Sequence, residues 1–240
     1  MANKRAVREM EAAGDTSGRK FAEMLVREAQ PHLNTRECEK YLPSIERAQQ
    51  IAEAQEGGND PLVQNALLAR ANCLRTLGRL NEGLELTQRV LATPGARRMH
   101  RSMAWLAHAR LLAKAGRHAE ALAAADSGLT ANHRMDRQAG PAEAVLWSTR
   151  ATALIGLKRI EEALEAGAKA VEAARALGPK SHELLSAQLA HAERLAEHGH
   201  LAESRPLAEA VRGHFLEEHD EPMSNALYRD AVALLRTVAH

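Results

Sequence analysis

Four times along the 240 residues the same spaced set recurs: an alanine, a leucine three residues on, a basic residue eight on and a glutamate eleven on. The sets are Ala71, Leu74, Arg79 and Glu82; Ala109, Leu112, Arg117 and Glu120; Ala151, Leu154, Arg159 and Glu162; Ala192, Leu195, His200 and Glu203. All four columns step by the same 38, 42 and 41 residues. Self-similarity at such a period marks a unit too small to bury its own apolar face, so that units must stack. This dictates an all-α chain, a superhelix or solenoid of antiparallel helix pairs, and points to a surface for binding other proteins or peptides.

Composition agrees with that constraint. Apolar residues make up 45% of the chain but aromatics only 2%, so burial must come from Leu and Ala, which suits closely packed helices. Strand formers never alternate over a useful length. A net charge of +1 leaves no electrostatic footprint for nucleic acid. Cys38 and Cys73 are too few for a disulfide framework or a four-ligand zinc site, and both are expected to be reduced, small and buried. No apolar run reaches 18 residues and no signal-peptide core follows Met1, so we expect no membrane association and a cytoplasmic location. Abundant Ala, with Arg above Lys, hints at a GC-rich bacterial source.

Residues 1–18 are expected to be a flexible N-terminal segment, with a single helical repeat domain over 19–240. Within it the spacing predicts a degenerate first repeat at 19–60, with helices from about Arg19 to Gln30 and Arg36 to Gln55. Clear repeats follow at 64–101, 102–143, 144–184 and 185–223, then a C-terminal helix at 224–240 capped by Ser224. Gly57-Gly58, Pro94-Gly95, Gly140-Pro141, Gly178-Pro179 and Pro222 punctuate the unit boundaries. Asn59 or Asp60 should cap the helix that opens with Pro61. Inside each unit Gly78, Gly116 and Gly199 make the tight turn, and Lys158 takes that place once.

With these columns the chain resembles the tetratricopeptide repeat family. The stretch with Trp105, Ala109, Leu112, Gly116 and Ala121 is the best copy of its pattern, and Trp147, Ala151, Leu154 and Ala163 form the next. Small residues continue in the second helices at Ala125, Gly128, Gly167, Ala170 and Ala208. The match covers roughly residues 64–215; Lys158, Gln188, Gly83 and Ser204 depart from it. The steps exceed the family's basic unit of about 34 residues, as in kinesin light chains and long-unit bacterial arrays. Pentatricopeptide arrays need a strict period because each unit reads one base, which these steps break.

The resemblance implies a protein- or peptide-binding scaffold that uses the inner surface of its first helices. There the stripe comprises Asn65, Leu68, Asn72 and Arg75, then Met103, Leu106 and Arg110, then Val145, Ser148 and Thr152, then Ser186, Leu189 and Glu193. Asn side chains could bond a peptide backbone, Leu68, Met103, Leu106 and Val145 offer apolar anchors, and Arg75 with Arg110 could grip an acidic or C-terminal carboxylate group. A secondary candidate is the column Arg70, His108, Arg150 and His191, where the family places leucine. It reads either as a cationic row or as long stems packed over a neighbouring helix. A regulatory input module of a bacterial signalling protein is the alternative to a scaffold.

No glycine-rich phosphate loop, HExxH, GxSxG or Cys–His pairing appears, so no enzyme and no cofactor are expected. His191, His198, His200, His214 and His219 lack the spacing for shared metal coordination and are expected to be solvated residues of helix ends and loops. The apolar Ala226, Leu227, Val232, Leu234 and Leu235 have no following helix to cover them. That edge is therefore expected to dock on a second copy of the chain or on a downstream domain.

Overall fold

In a computed structural model of the protein, residues 2–133, 140–218 and 225–238 are described. Twelve α-helices and no strand occur among them. They divide into two compact units, residues 1–120 and 121–240. The first holds α1 (Ala2–Ala12), α2 (Arg19–Ala29), α3 (Leu42–Glu56), α4 (Pro61–Leu77), α5 (Leu80–Ala92) and α6 (Arg98–Lys114). Next comes α7 (His118–His133), and the second unit continues with α8 (Pro141–Gly156), α9 (Ile160–Arg175), α10 (His182–Glu197), α11 (Leu201–Glu218) and α12 (Ala226–Thr237).

The recurring columns have a local physical basis. Each unit's first helix ends in a left-handed residue: Gly78, Gly116 and Gly199 at φ 81°, 74° and 84°, and Lys158 at φ 60°. That residue turns the chain so that the next N–H points back at the column leucine. Arg79 donates to the Leu74 carbonyl at 2.9 Å, Arg117 to Leu112 at 3.0 Å, Arg159 to Leu154 at 2.9 Å and His200 to Leu195 at 2.8 Å. This is the 6→1 bond that closes a helix C-terminus. The same basic side chain then reaches forward to the column glutamate. Arg79–Glu82, Arg117–Glu120 and Arg159–Glu162 make two-pronged pairs at 2.6–2.7 Å, and His200 faces Glu203 at 3.3 Å. Leucine carbonyl, turn, basic residue and glutamate thus form one clip that ends one helix and begins the next.

The alanines Ala71, Ala109, Ala151 and Ala192 are completely enclosed, and their leucines nearly so. Two departures from the family pattern now have reasons. A Cβ on Gly83 would lie 2.7 Å from Leu111 Cδ2, so a larger residue there would require the buried leucine to shift. Ser204 is enclosed but donates to the Ala192 carbonyl at 2.7 Å, satisfying its hydroxyl within the packed contact.

Several expectations are corrected. The N-terminal segment is not loose throughout: Ala2–Ala12 is helical, with Val7 buried in the core of the first unit. Helix α2 ends at Ala29 and passes into a 3₁₀ turn over Gln30–His32. The second helix starts at Leu42 rather than Arg36. Pro43 cannot donate to the Glu39 carbonyl and is tolerated only in a first turn, so Arg36–Tyr41 is 3₁₀. Asp60 is the cap of α4, accepting from the Leu62 N–H at 2.8 Å. Asn225 caps α12 by accepting from Leu227 at 2.9 Å; the expected cap Ser224 lies outside the described residues.

Cys38 and Cys73 are not reduced thiols but a disulfide, joining the 3₁₀ segment to α4 across a Cα separation of 5.6 Å. Spacing along the chain could not disclose a pairing made by the packing of that segment on α4. The apolar side of α12 is also less open than expected. Leu227, Tyr228 and Leu234 pack with Leu185, Leu189, Val211 and Phe215, and Ala231 is enclosed. Val232 and Leu235 remain half-buried.

Candidate binding surface on the first helices

In the first unit the stripe is built on α4 and α6. Asn65 accepts from His100 Nε2 at 3.1 Å. Burial, followed by the charge of Arg97, pushes the His100 pKa down. A cleft of about 270 Å³ opens beside Asn65, lined by Arg19, Val26, Arg27 and Leu62. Leu68 is only 3% exposed and belongs to the core, so it is not an anchor available to a ligand. Helix α6 instead presents Met99, 52% exposed, and Met103, 41% exposed. With half-buried Leu106 and Arg110 they follow the i, i+4, i+7, i+11 line of one helix face. Met99 escaped the sequence reading because it precedes the part of the pattern that repeats.

Arg75 and half-buried Asn72 complete the surface on α4. Arg75 donates to Asn34 Oδ1 at 2.8 Å, a neutral partner. Burial, then the like charge of Arg110, pushes its pKa down to about 10. Arg110 is lowered by burial alone. Lys114, which carried no motif signal, donates to the Arg75 carbonyl at 2.7 Å and so covers the C-terminal end of α4.

The second unit treats the same stripe differently. Arg194 donates to Thr152 Oγ1 at 3.0 Å and to the Ser148 carbonyl at 3.3 Å, so the predicted Ser148 and Thr152 serve a neighbouring helix. Val145 is half-buried and Ser186 faces His182 at 3.3 Å. Leu189 is 4% exposed and packs with Val211 and Phe215, so it too is core rather than anchor. Glu193 lies at the surface, where partial desolvation and the Asp230 carboxylate raise its pKa.

The secondary column reaches back to the preceding second helix in every case. Arg70 donates to Gln49 and Glu46 on α3, both at 2.7 Å. His108 meets Thr87 on α5 at 2.7 Å. Arg150 donates to Asp126 on α7 at 2.8 Å and lies over the Trp147 ring. His191 packs on Gly167 of α9, where a Cβ would come within 2.5 Å of Nδ1. His191 is therefore buried rather than solvated, contrary to expectation. No three His, Cys, Asp or Glu side chains converge among the described residues; His219 lies outside them. No helix of the described residues is long and apolar enough to cross a membrane.

Helix pairs closed by these clips define a class: the chain has the tetratricopeptide-like helical repeat fold. No family model matches the sequence, and no curated protein matches it. Among solved structures, BtubC (BKLC) from P. vanneervenii aligns with TM-score 0.62 at 15% identity, over 91% of this chain and 87% of that one. A protein from Podosopora anserina, provisionally a kinesin light chain and described as having nearly identical TPR-like repeats, aligns with TM-score 0.63 at 17% identity. The match spans 85% of this chain and 99% of that one. A single-substitution variant of it gives 0.63 at 18% identity, over 81% and 94%.

Proposed function

We propose that the protein is a non-catalytic scaffold that binds a partner protein or peptide through the first-helix stripe. The observation that carries this reading is the face of α6. Two large apolar side chains, Met99 and Met103, stand exposed beside half-buried Leu106 and the guanidinium of Arg110. Flexible, polarisable methionines next to a fixed charge make a serviceable anchor for a peptide side chain. Leu68 and Leu189 drop out of the contact surface, leaving Asn72, Arg75, Met103, Leu106 and Arg110 as its centre in the first unit.

The test is selection of peptides from a displayed library on the whole chain, followed by binding to Met103→Glu/Leu106→Ala. Peptides should lose at least about tenfold in affinity, the loss of one central contact of about 1.4 kcal/mol, with the far-UV CD spectrum unchanged. Selected peptides that bind the variant as well as the wild type would place the surface elsewhere.

A further inference from the structure

Three half-buried arginines are neutralised by carboxylates: Arg19 by Asp60, Arg70 by Glu46, and Arg150 by Asp126. Arg194 has no ion pair among the described residues but donates to Thr152 and the Ser148 carbonyl and feels the charges of Glu193 and Glu197. Arg75 and Arg110 have neither provision. Among the described residues no ion pair reaches either one, the only side chain accepting from Arg75 is the neutral Asn34, and Arg75 Nε is buried with no acceptor. Arg110 is near enough to depress Arg75, and no acidic group acts on either. Two guanidiniums partly stripped of water and close enough to repel each other cost free energy that no carboxylate acting on either one returns.

We propose that Arg75 and Arg110 form a binding site for a phosphoryl group carried by a partner protein. The proposal rests on the scaffold reading above and names the chemistry of its ligand. Charge and acceptor count select the phosphoryl group over a lone carboxylate. A carboxylate fills one guanidinium fork and leaves the second cation uncompensated. A phosphomonoester carries a charge of about −1.5 to −2 at pH 7 and three acceptor oxygens, enough to bridge both forks. The C-terminal end of a helix ordinarily repels an anion. Here Lys114 donates to the Arg75 carbonyl at 2.7 Å and approaches that of Thr76 at 3.5 Å, so the end of α4 is covered by an ammonium. Half-buried Asn72, one turn before Arg75, adds a neutral amide on the same face.

The experiment follows the arginine Nε–H signals of the intact chain by ¹⁵N NMR. Inorganic phosphate and acetate are titrated separately at pH 7.5 and matched ionic strength. Phosphate should shift Arg75 and Arg110 saturably and bind at least about tenfold tighter than acetate. Arg110→Gln should weaken phosphate about tenfold or more, the range expected for losing a hydrogen bond to a charged group. Arg110→Lys, which keeps the charge and loses the fork, should weaken it as well and serves if the glutamine variant misfolds. Equal affinities for the two anions, or phosphate binding that survives both substitutions, would overturn the assignment. If phosphate leaves both signals unmoved while selected peptides still need Met103 and Leu106, the phosphoryl site falls and the scaffold reading stands. If phosphate binds as expected and no selected peptide depends on that face, the anion site stands and the scaffold reading falls.

Discussion

The two units present the same stripe of the same repeat and use it in opposite ways. In the first unit Arg75 and Arg110 have no carboxylate beside them, and two methionines stand exposed on the same face. In the second unit Arg194 is consumed by Thr152 and the Ser148 carbonyl, and the anchor position Leu189 is closed over by α11 and α12. An equivalent place in a repeat therefore fixes where a side chain stands but not whether it is free to bind. Availability depends on whether the neighbouring helix already satisfies the polar group or covers the apolar one.

The largest separation between the units should come from the disulfide. Cys38 and Cys73 stand 35 positions apart in the first unit, and opening a loop of that size costs on the order of 3–4 kcal/mol in the chain-entropy account. Adding reductant should therefore lower hydrogen-exchange protection in α4 while leaving α8 unchanged. Equal loss in both helices would show that the two units do not unfold separately. Trapping free thiols in intact cells also bears on location, since a cytosolic chain should be alkylated at both cysteines.

Next come the turns. Lys158 in the second unit adopts the left-handed conformation that Gly78 holds in the first, at about 1 kcal/mol of steric cost. Lys158→Gly should raise stability by about that amount and Gly78→Ala should lower it by about as much. Denaturant midpoints that move in the same direction for both would refute the equivalence of the two turns.

The arginines should diverge with a similar or smaller amplitude. Arg110→Met removes an uncompensated charge and should leave the first unit neutral or slightly stabilised. Arg194→Met removes hydrogen bonds and should destabilise the second by about 1 kcal/mol. Thermal melts of the two variants decide this, and equal destabilisation would contradict the distinction between a binding arginine and a structural one.

The smallest effect is pH-dependent. His108 in the first unit and His191 in the second both have lowered pKa values, from burial first and then from Arg117 and Arg194 respectively. A histidine whose folded pKa lies below its unfolded value gives stability that is fully present above about pH 6.5 and is lost as pH falls through the folded value. Stability should therefore decline on acidification below pH 6.5 in both units. His108→Gln should flatten the decline in the first unit only. An unchanged slope in that variant would assign the acid sensitivity to other groups.

The chain alone determined what depends on near neighbours. The leucine carbonyl, turn, basic residue and glutamate span only about a dozen positions, so their hydrogen bonds leave a repeating trace in the residues themselves, and helix pairs follow from it. The cap before Pro61 was legible to within one residue, Asn59 or Asp60, for the same reason, because a cap acts two residues away. What joins residues distant in sequence left no such trace. The bridge between Cys38 and Cys73, the burial of Leu68 and Leu189, and the contact of His108 with Thr87 arise where one helix pair meets the next. The same holds for Arg75 and Arg110. Any arginine on an exposed stripe reads alike, and only packing shows which cations found a carboxylate and which were left without one.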